Sequence, residues 1–200
     1  MATVGFDRLF YAPITEDPET GAETYGEPVF LAKAISAGLS VELAEAVLYA
    51  DDAADEVVRE FKSAKLSLGV KDLGTAQAAK LTGARVDDNG ALVSAGEDGG
   101  DYVAVGFRAK ATGNKHRLYW LYRVKFAVPS INLQTHGDNI NFQTPTIEGT
   151  ALRRNKPDAQ GKHPWMAELR EGGTGVDKAV VDGWFKTVYE PGFGDVEETE

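Results

Sequence analysis

The chain has no cysteine. This excludes a disulfide framework, thiolate metal sites and a cysteine nucleophile, and it leaves the redox compartment undetermined. Long apolar runs are missing too: no stretch approaches the roughly 20 residues of a membrane-crossing helix. The opening "MATVGFDRLF" places Asp7 and Arg8 where a secretory leader would be apolar, so the expectation is a soluble protein made in the cytoplasm. Cations are scarce, with 21 Lys and Arg against 31 Asp and Glu and a formal net charge of -10. Such a surface is poorly suited to gripping phosphates and well suited to letting nucleic acid slide past.

Chemistry-bearing patterns are equally thin. The histidines number three, His116, His136 and His163, and none forms an H-x-x-x-H or H-x-H pair of the kind that holds zinc. The run Asp51-Asp52-Ala53-Ala54-Asp55 lacks the Gly and Glu that a calcium loop needs at its sixth and twelfth positions. No G-x-G-x-x-G, phosphate-binding loop or G-x-S-x-G is present. The expectation is a non-enzyme with no catalytic residue, cofactor or metal. An exposed Trp120, Tyr122 and Trp165 would instead offer a sugar-stacking platform; packing in a core or interface is the better reading of these aromatics.

What the chain does have is strand pattern. Its 200 residues, 42% hydrophobic and 10% aromatic, suit one domain over 1–190 with an acidic tail at 191–200. "GFDRLFYAPI" reads as a strand cut off by Pro13, and residues 15–28 as a mobile loop. "SAKLSLGV" alternates Ala64, Leu66, Leu68 and Val70 against Ser63, Lys65 and Ser67, a strand. Residues 72–83 read as a short helix capped by Asp72 and closed by Gly83. Residues 101–126 make a long hairpin turning near Gly113-Asn114, and Pro145 confines the next strand to an edge or bulge. Val181, Trp184, Phe185 and Val188 fall on a helical stripe, with Asp177 as cap and Pro191 as stop. The fold class is mainly β, two packed sheets with one or two short flanking helices.

One stretch is ambiguous. In "VELAEAVLYADDAADEVVREF", residues 41–61, Leu43, Val47, Ala50, Ala54, Val57 and Phe61 draw a helical stripe, yet strands surround it and acids interrupt its middle. It is either an amphipathic helix or two strands joined by an acidic turn.

The order of segments resembles the major tail protein, the tail-tube subunit, of phages and prophages with long non-contractile tails. The resemblance runs through "VGFDRLFYAPITED", "LYADD", "DLGTAQAAKLTGA", "RLYWLYRVKF", "TPTIEGTALRRNK", "HPW" and "GWFKTVYEP", which is most of the chain. It implies a virion structural protein that self-assembles into stacked, hexameric rings, a hollow conduit for DNA during ejection. Its partners would be copies of itself, a tape-measure protein and a tail terminator, with no specific DNA binding and no membrane. A head-to-tail connector or tube-terminating virion protein on the same fold is the alternative. By the same resemblance, 44–62 is strand, turn and strand. The densest opposite charges, Asp51, Asp52, Asp55 and Glu56 against Arg153, Arg154 and Lys156, are expected to meet between subunits.

Overall fold

The clean alternation at 63–70 and through the 103–126 hairpin gives each strand one apolar side, and only a sheet with a second layer over it can bury that side. The computed structural model describes residues 3–50, 53–130 and 144–192, with side chains described outside 49–55. It is mainly β. The strands are β1 (Thr3–Glu16), β2 (Glu23–Tyr25), β3 (Val29–Ala32), β4 (Ala34–Ala50), β5 (Ala53–Val70), β6 (Arg85–Val86), β7 (Leu92–Val93), β8 (Val103–Ala111), β9 (Lys115–Phe126), β10 (Thr146–Leu152) and β11 (Met166–Arg170). Two short helices accompany them, α1 (Thr75–Thr82) and α2 (Lys178–Gly183).

Nine of these strands form one antiparallel sheet in the order β2-β1-β8-β9-β10-β5-β4, with β3 paired to β1 and β11 to β9. The sheet curls until β4 touches β1, so its halves face each other in a sandwich-like arrangement. Inside lie Leu9, Leu66, Leu68, Val105, Leu121 and Ile147, all essentially inaccessible, with Leu81 of α1 closing one end. Each such side chain contributes about 1.5–3 kcal/mol of transfer free energy, offset by the entropy of ordering the chain. A second apolar cluster covers the other face. There Ala12, Ala104, Leu118, Trp120 and Tyr122 pack under Trp184 and Val188 of the C-terminal segment. Gly106 permits this packing: a Cβ there would sit 2.7 Å from the Trp120 ring.

Residues 41–50 and 53–61 are strands. β4 and β5 form one long ribbon in which Leu43 pairs with Phe61, Val47 with Val57 and Ala50 with Ala53. The helical stripe and this pairing coincide for a geometric reason. A spacing of four keeps side chains on one side at both the helical period and the strand period. Leu43 and Val47 thus face the stripe members Phe61 and Val57 across the ribbon, whereas the spacings of three put Ala50 and Ala54 out of step, paired with Ala53 and Tyr49.

Several local expectations are corrected. β1 does not stop at Pro13 but runs on to Glu16; Pro13 lacks a donor, yet its carbonyl accepts from Gly26 N at 2.9 Å. Residues 15–28 are not an unstructured loop, because they supply β2 and a fully buried Glu23. β10 is central between β9 and β5, and Pro145 is tolerated because it lies just before the strand, its carbonyl accepting from Val70 N at 3.1 Å. α1 starts after Gly74 with no side-chain cap, so Asp72 does not cap it, while Gly83 does close it in the left-handed conformation. Asp177 caps α2 by accepting from Ala179 N, but the helix ends before Trp184, and Phe185 and Val188 follow in irregular chain. β11 was not anticipated.

Candidate functional site

The feature that dominates the surface is the outer part of the β4–β5 ribbon. β10 supports β5 only up to Ala64, and a register shift after Glu42 marks where the ribbon leaves the body. A shift of this kind, an extra residue on one strand, bends and twists a ribbon. From the Leu43–Phe61 pair to the Ala50–Ala53 pair the arm spans eight residues of β4, about 27 Å. Leu43, Leu48, Val57 and Val58 on it are 54%, 58%, 49% and 47% exposed. Phe61 anchors its base, stacked on Trp165 with centroids 4.6 Å apart. The Arg59–Glu45 pair at 2.8 Å ties the strands together further out.

Cross-strand contacts such as Val47–Val57 contribute only about 0.2–1 kcal/mol each. A two-stranded ribbon alone in water is marginal. The far edge of β4 also bonds to no strand among the described residues. Its sequence, "AISAGLSVELAEAVLYA", carries neither Pro nor Lys, the residues that usually guard an open edge. The arm is thus a mixed ribbon, with Leu43, Leu48, Val57 and Val58 exposed among the charges of Glu45, Glu56, Arg59 and Glu60, and its exposed apolar side chains suit a binding element.

The residues singled out from sequence fall in different places. Glu56 is exposed on the arm; Asp51 and Asp52, and the side chain of Asp55, lie outside the described residues. Of the three cations, only Arg153 is exposed. Arg154 is 1% exposed and turned into its own chain. Its Nη1 donates to Glu190 at 2.8 Å and its guanidinium lies 4.8 Å over the Tyr122 ring. Lys156 donates to the other oxygen of Glu190 at 2.9 Å. Arg154, buried in its own chain, is thus corrected as a member of the expected intersubunit cluster, while Lys156 is half-exposed and pairs with Glu190 within the chain. Arg154 inverts the usual reading of a basic run because it is buried beside the Tyr25 and Tyr122 side chains, with the Glu190 carboxylate as its ion-pair partner.

A second network holds the β1–β2 turn down. Arg123 donates to Glu23 at 2.6 Å and pairs with Glu16 at 2.7 Å, while Glu23 also accepts from Asn155 N at 3.0 Å. Burial pushes the Tyr25 and Tyr122 phenols above their ordinary range, with the charge of Glu23 adding to the effect at Tyr25. No sequence signal placed Glu23, because its partners lie 100 and 132 positions away.

Among the described residues no three His, Cys, Asp or Glu side chains gather around a point that a metal could occupy. His116 Nδ1 lies 2.7 Å from Glu171, and the Nδ1–H of His163 donates to the Arg154 carbonyl at 3.1 Å; His136 is outside the described residues. An open trough of about 780 Å³ lies over β4, β5, β9 and β10 with Lys65, Tyr102, Lys125 and Glu148 on its walls. Trp120 and Tyr122 are core residues and Trp165 is stacked under Phe61, so these three do not form the sugar-stacking platform considered above. Among the described residues no helix is long and apolar enough to cross a membrane. No protein-family model matches the chain, and no curated protein matches it.

Proposed function

We propose that this chain is a self-assembling structural subunit, the tail-tube protein of a phage or prophage with a long, non-contractile tail. The arm carries the reading. An enzyme or small-ligand binder has no use for about 27 Å of projecting ribbon that leaves Leu43, Leu48, Val57 and Val58 exposed, whereas a polymer subunit needs an element that stays marginal alone and becomes ordered against a neighbour. The open edge of β4 serves the same end, since a wall without gaps requires edges to be consumed by neighbours. Hexameric rings stacked coaxially around a lumen follow from the resemblance. The net charge of -10 keeps a conduit of such subunits from retaining DNA. A tape-measure protein and a tail terminator are the further partners on this reading.

Sedimentation velocity tests it. The full chain is expected to form large particles as concentration rises. A variant with residues 44–60 replaced by a short Asn-Gly turn is expected to melt like the full chain and sediment as a monomer. Large particles formed equally by the shortened variant would remove the arm from the account.

A further inference from the structure

The strand order gathers charges that the sequence scatters. β1, β8, β9 and β11 bring Arg8, Arg108, Lys110, Lys115, Arg117 and Arg170 to the end of the sandwich at the β8–β9 turn. Only Asp7, Glu168 and Glu171 oppose them there, and these are occupied: Asp7 by Arg108 at 2.7 Å, Glu171 by His116, and Glu168 by Arg170 and Arg117. Lys110 and Lys115 make no ion pair among the described residues. Arg8 is exposed and held at a φ of 52°, left-handed backbone that a non-glycine residue rarely adopts, beside the register shift in β1.

The opposite end of the same strands is acidic. Residues 85–101 carry Asp87, Asp88, Glu97, Asp98 and Asp101 against Arg85, with the Lys125 ammonium also reaching the segment at Gly99. They lead directly into the start of β8, and Gly83 seats this segment there by packing on Gly99 and Gly100. None of the five acids pairs with a cation among the described residues. Asp87 accepts from Asn89 N and Ala91 N at 2.9 and 2.7 Å, which fixes the turn that presents Asp88. The nine residues of β8 separate the two ends by about 30 Å. In a chain of net charge -10, one end therefore carries surplus cations and the other surplus anions.

We propose that these ends are mates: the cationic end around Lys110 and Lys115 of one copy seats on the acidic end around Asp87, Asp88 and Glu97 of the next. This contact rests on the self-assembly reading and adds which surfaces meet. It is heterologous, a different patch from each copy, and a heterologous contact repeats along an axis where a two-fold one would close. Opposed charges set register and polarity, and a like-charged pairing, cation end to cation end, is disfavoured.

Charge reversal tests it by light scattering and electron microscopy. Variant one carries Lys110→Glu and Lys115→Glu, so both of its ends are acidic. Variant two carries Asp87→Lys, Asp88→Lys and Glu97→Lys, so both of its ends are cationic. Each alone is expected to need about tenfold or more protein than wild type to assemble, while an equal mixture recovers because alternating copies restore opposite charges. Raising salt from about 0.05 to about 0.5 M is expected to weaken wild-type assembly. A wild-type chain that never assembles overturns the self-assembly reading itself. Wild-type tubes with both variants assembling normally, or a mixture that stays dispersed, overturn the head-to-tail contact alone. Rescue of variant one by reversing Asp51 and Asp52 in place of Asp87, Asp88 and Glu97 overturns it as well, and so does DNA capture by Lys110 and Lys115 with assembly unchanged.

Discussion

Arg153 and Arg154 are adjacent in sequence and opposite in consequence, which makes their separate removal to alanine informative. Arg154 is 1% exposed, lies over the Tyr122 ring and donates to Glu190. Loss of the desolvated cation–π contact removes about 1–2 kcal/mol. Loss of the charged hydrogen bond is discounted to about 1 kcal/mol, because the Glu190 side chain is 42% exposed and regains water. Loss of the packed stem adds roughly another 1 kcal/mol, against the relief of no longer burying a cation. Arg154→Ala is thus expected to destabilise the fold by about 2–4 kcal/mol. For a chain of this length that lowers the melting temperature by roughly 6–12 °C. Arg153→Ala, at an exposed position, is expected to stay within about 0.5 kcal/mol. Thermal unfolding followed by circular dichroism reads both. An Arg154→Ala protein that melts within about 1 °C of wild type, or an Arg153→Ala protein that falls as far, would refute the buried clasp.

Further outcomes follow from other named contacts. Leu48→Ser with Val58→Ser on the arm is expected to leave the monomer's melting unchanged within about 2 °C and to raise the concentration needed for assembly about tenfold, read by sedimentation. Gly106→Ala places a methyl against the Trp120 ring, which is fully buried and pinned by its Nε1–H to the Trp184 carbonyl at 2.9 Å; a loss of at least about 1–3 kcal/mol is expected in chemical denaturation. The hydrogen bonds from Arg108 hold the Asp7 carboxyl below its ordinary value of 3.8, against the opposing effect of burial. A depressed folded pKa contributes stability above the unfolded value and loses it as pH falls through the folded one. Wild type is therefore expected to lose stability more steeply than Asp7→Asn below about pH 4, in melts across an acid series.

The fold class was legible because strand periodicity is a local signal. Leu66 and Leu68 announced β5, and Tyr102 through Phe126 announced the β8–β9 hairpin, both by alternation alone. Residues 41–61 were ambiguous for a physical reason, since a four-residue spacing satisfies helix and strand alike and only pairing with a supported β5 decides between them. β11 had a signal, Ala167 and Leu169 alternating with Glu168 and Arg170, but five residues after a proline-rich loop are too few to stand out. The candidate site was legible in its elements and not in its connections. The arm was visible as a segment, yet its projection depends on where β10 stops, and that is set by a strand 80 positions away. "RRNK" resembled a surface patch because sequence shows charge without burial. The cationic end draws on four separated strands, so no window of sequence contains it.

The central claim, that this chain builds a hollow polymer, is tested most directly by negative-stain electron microscopy of the purified full chain over a rising concentration series. The account predicts rings with a central hole that stack into tubes of uniform diameter. Single particles of monomer size at every concentration, up to the limit of solubility, would contradict it.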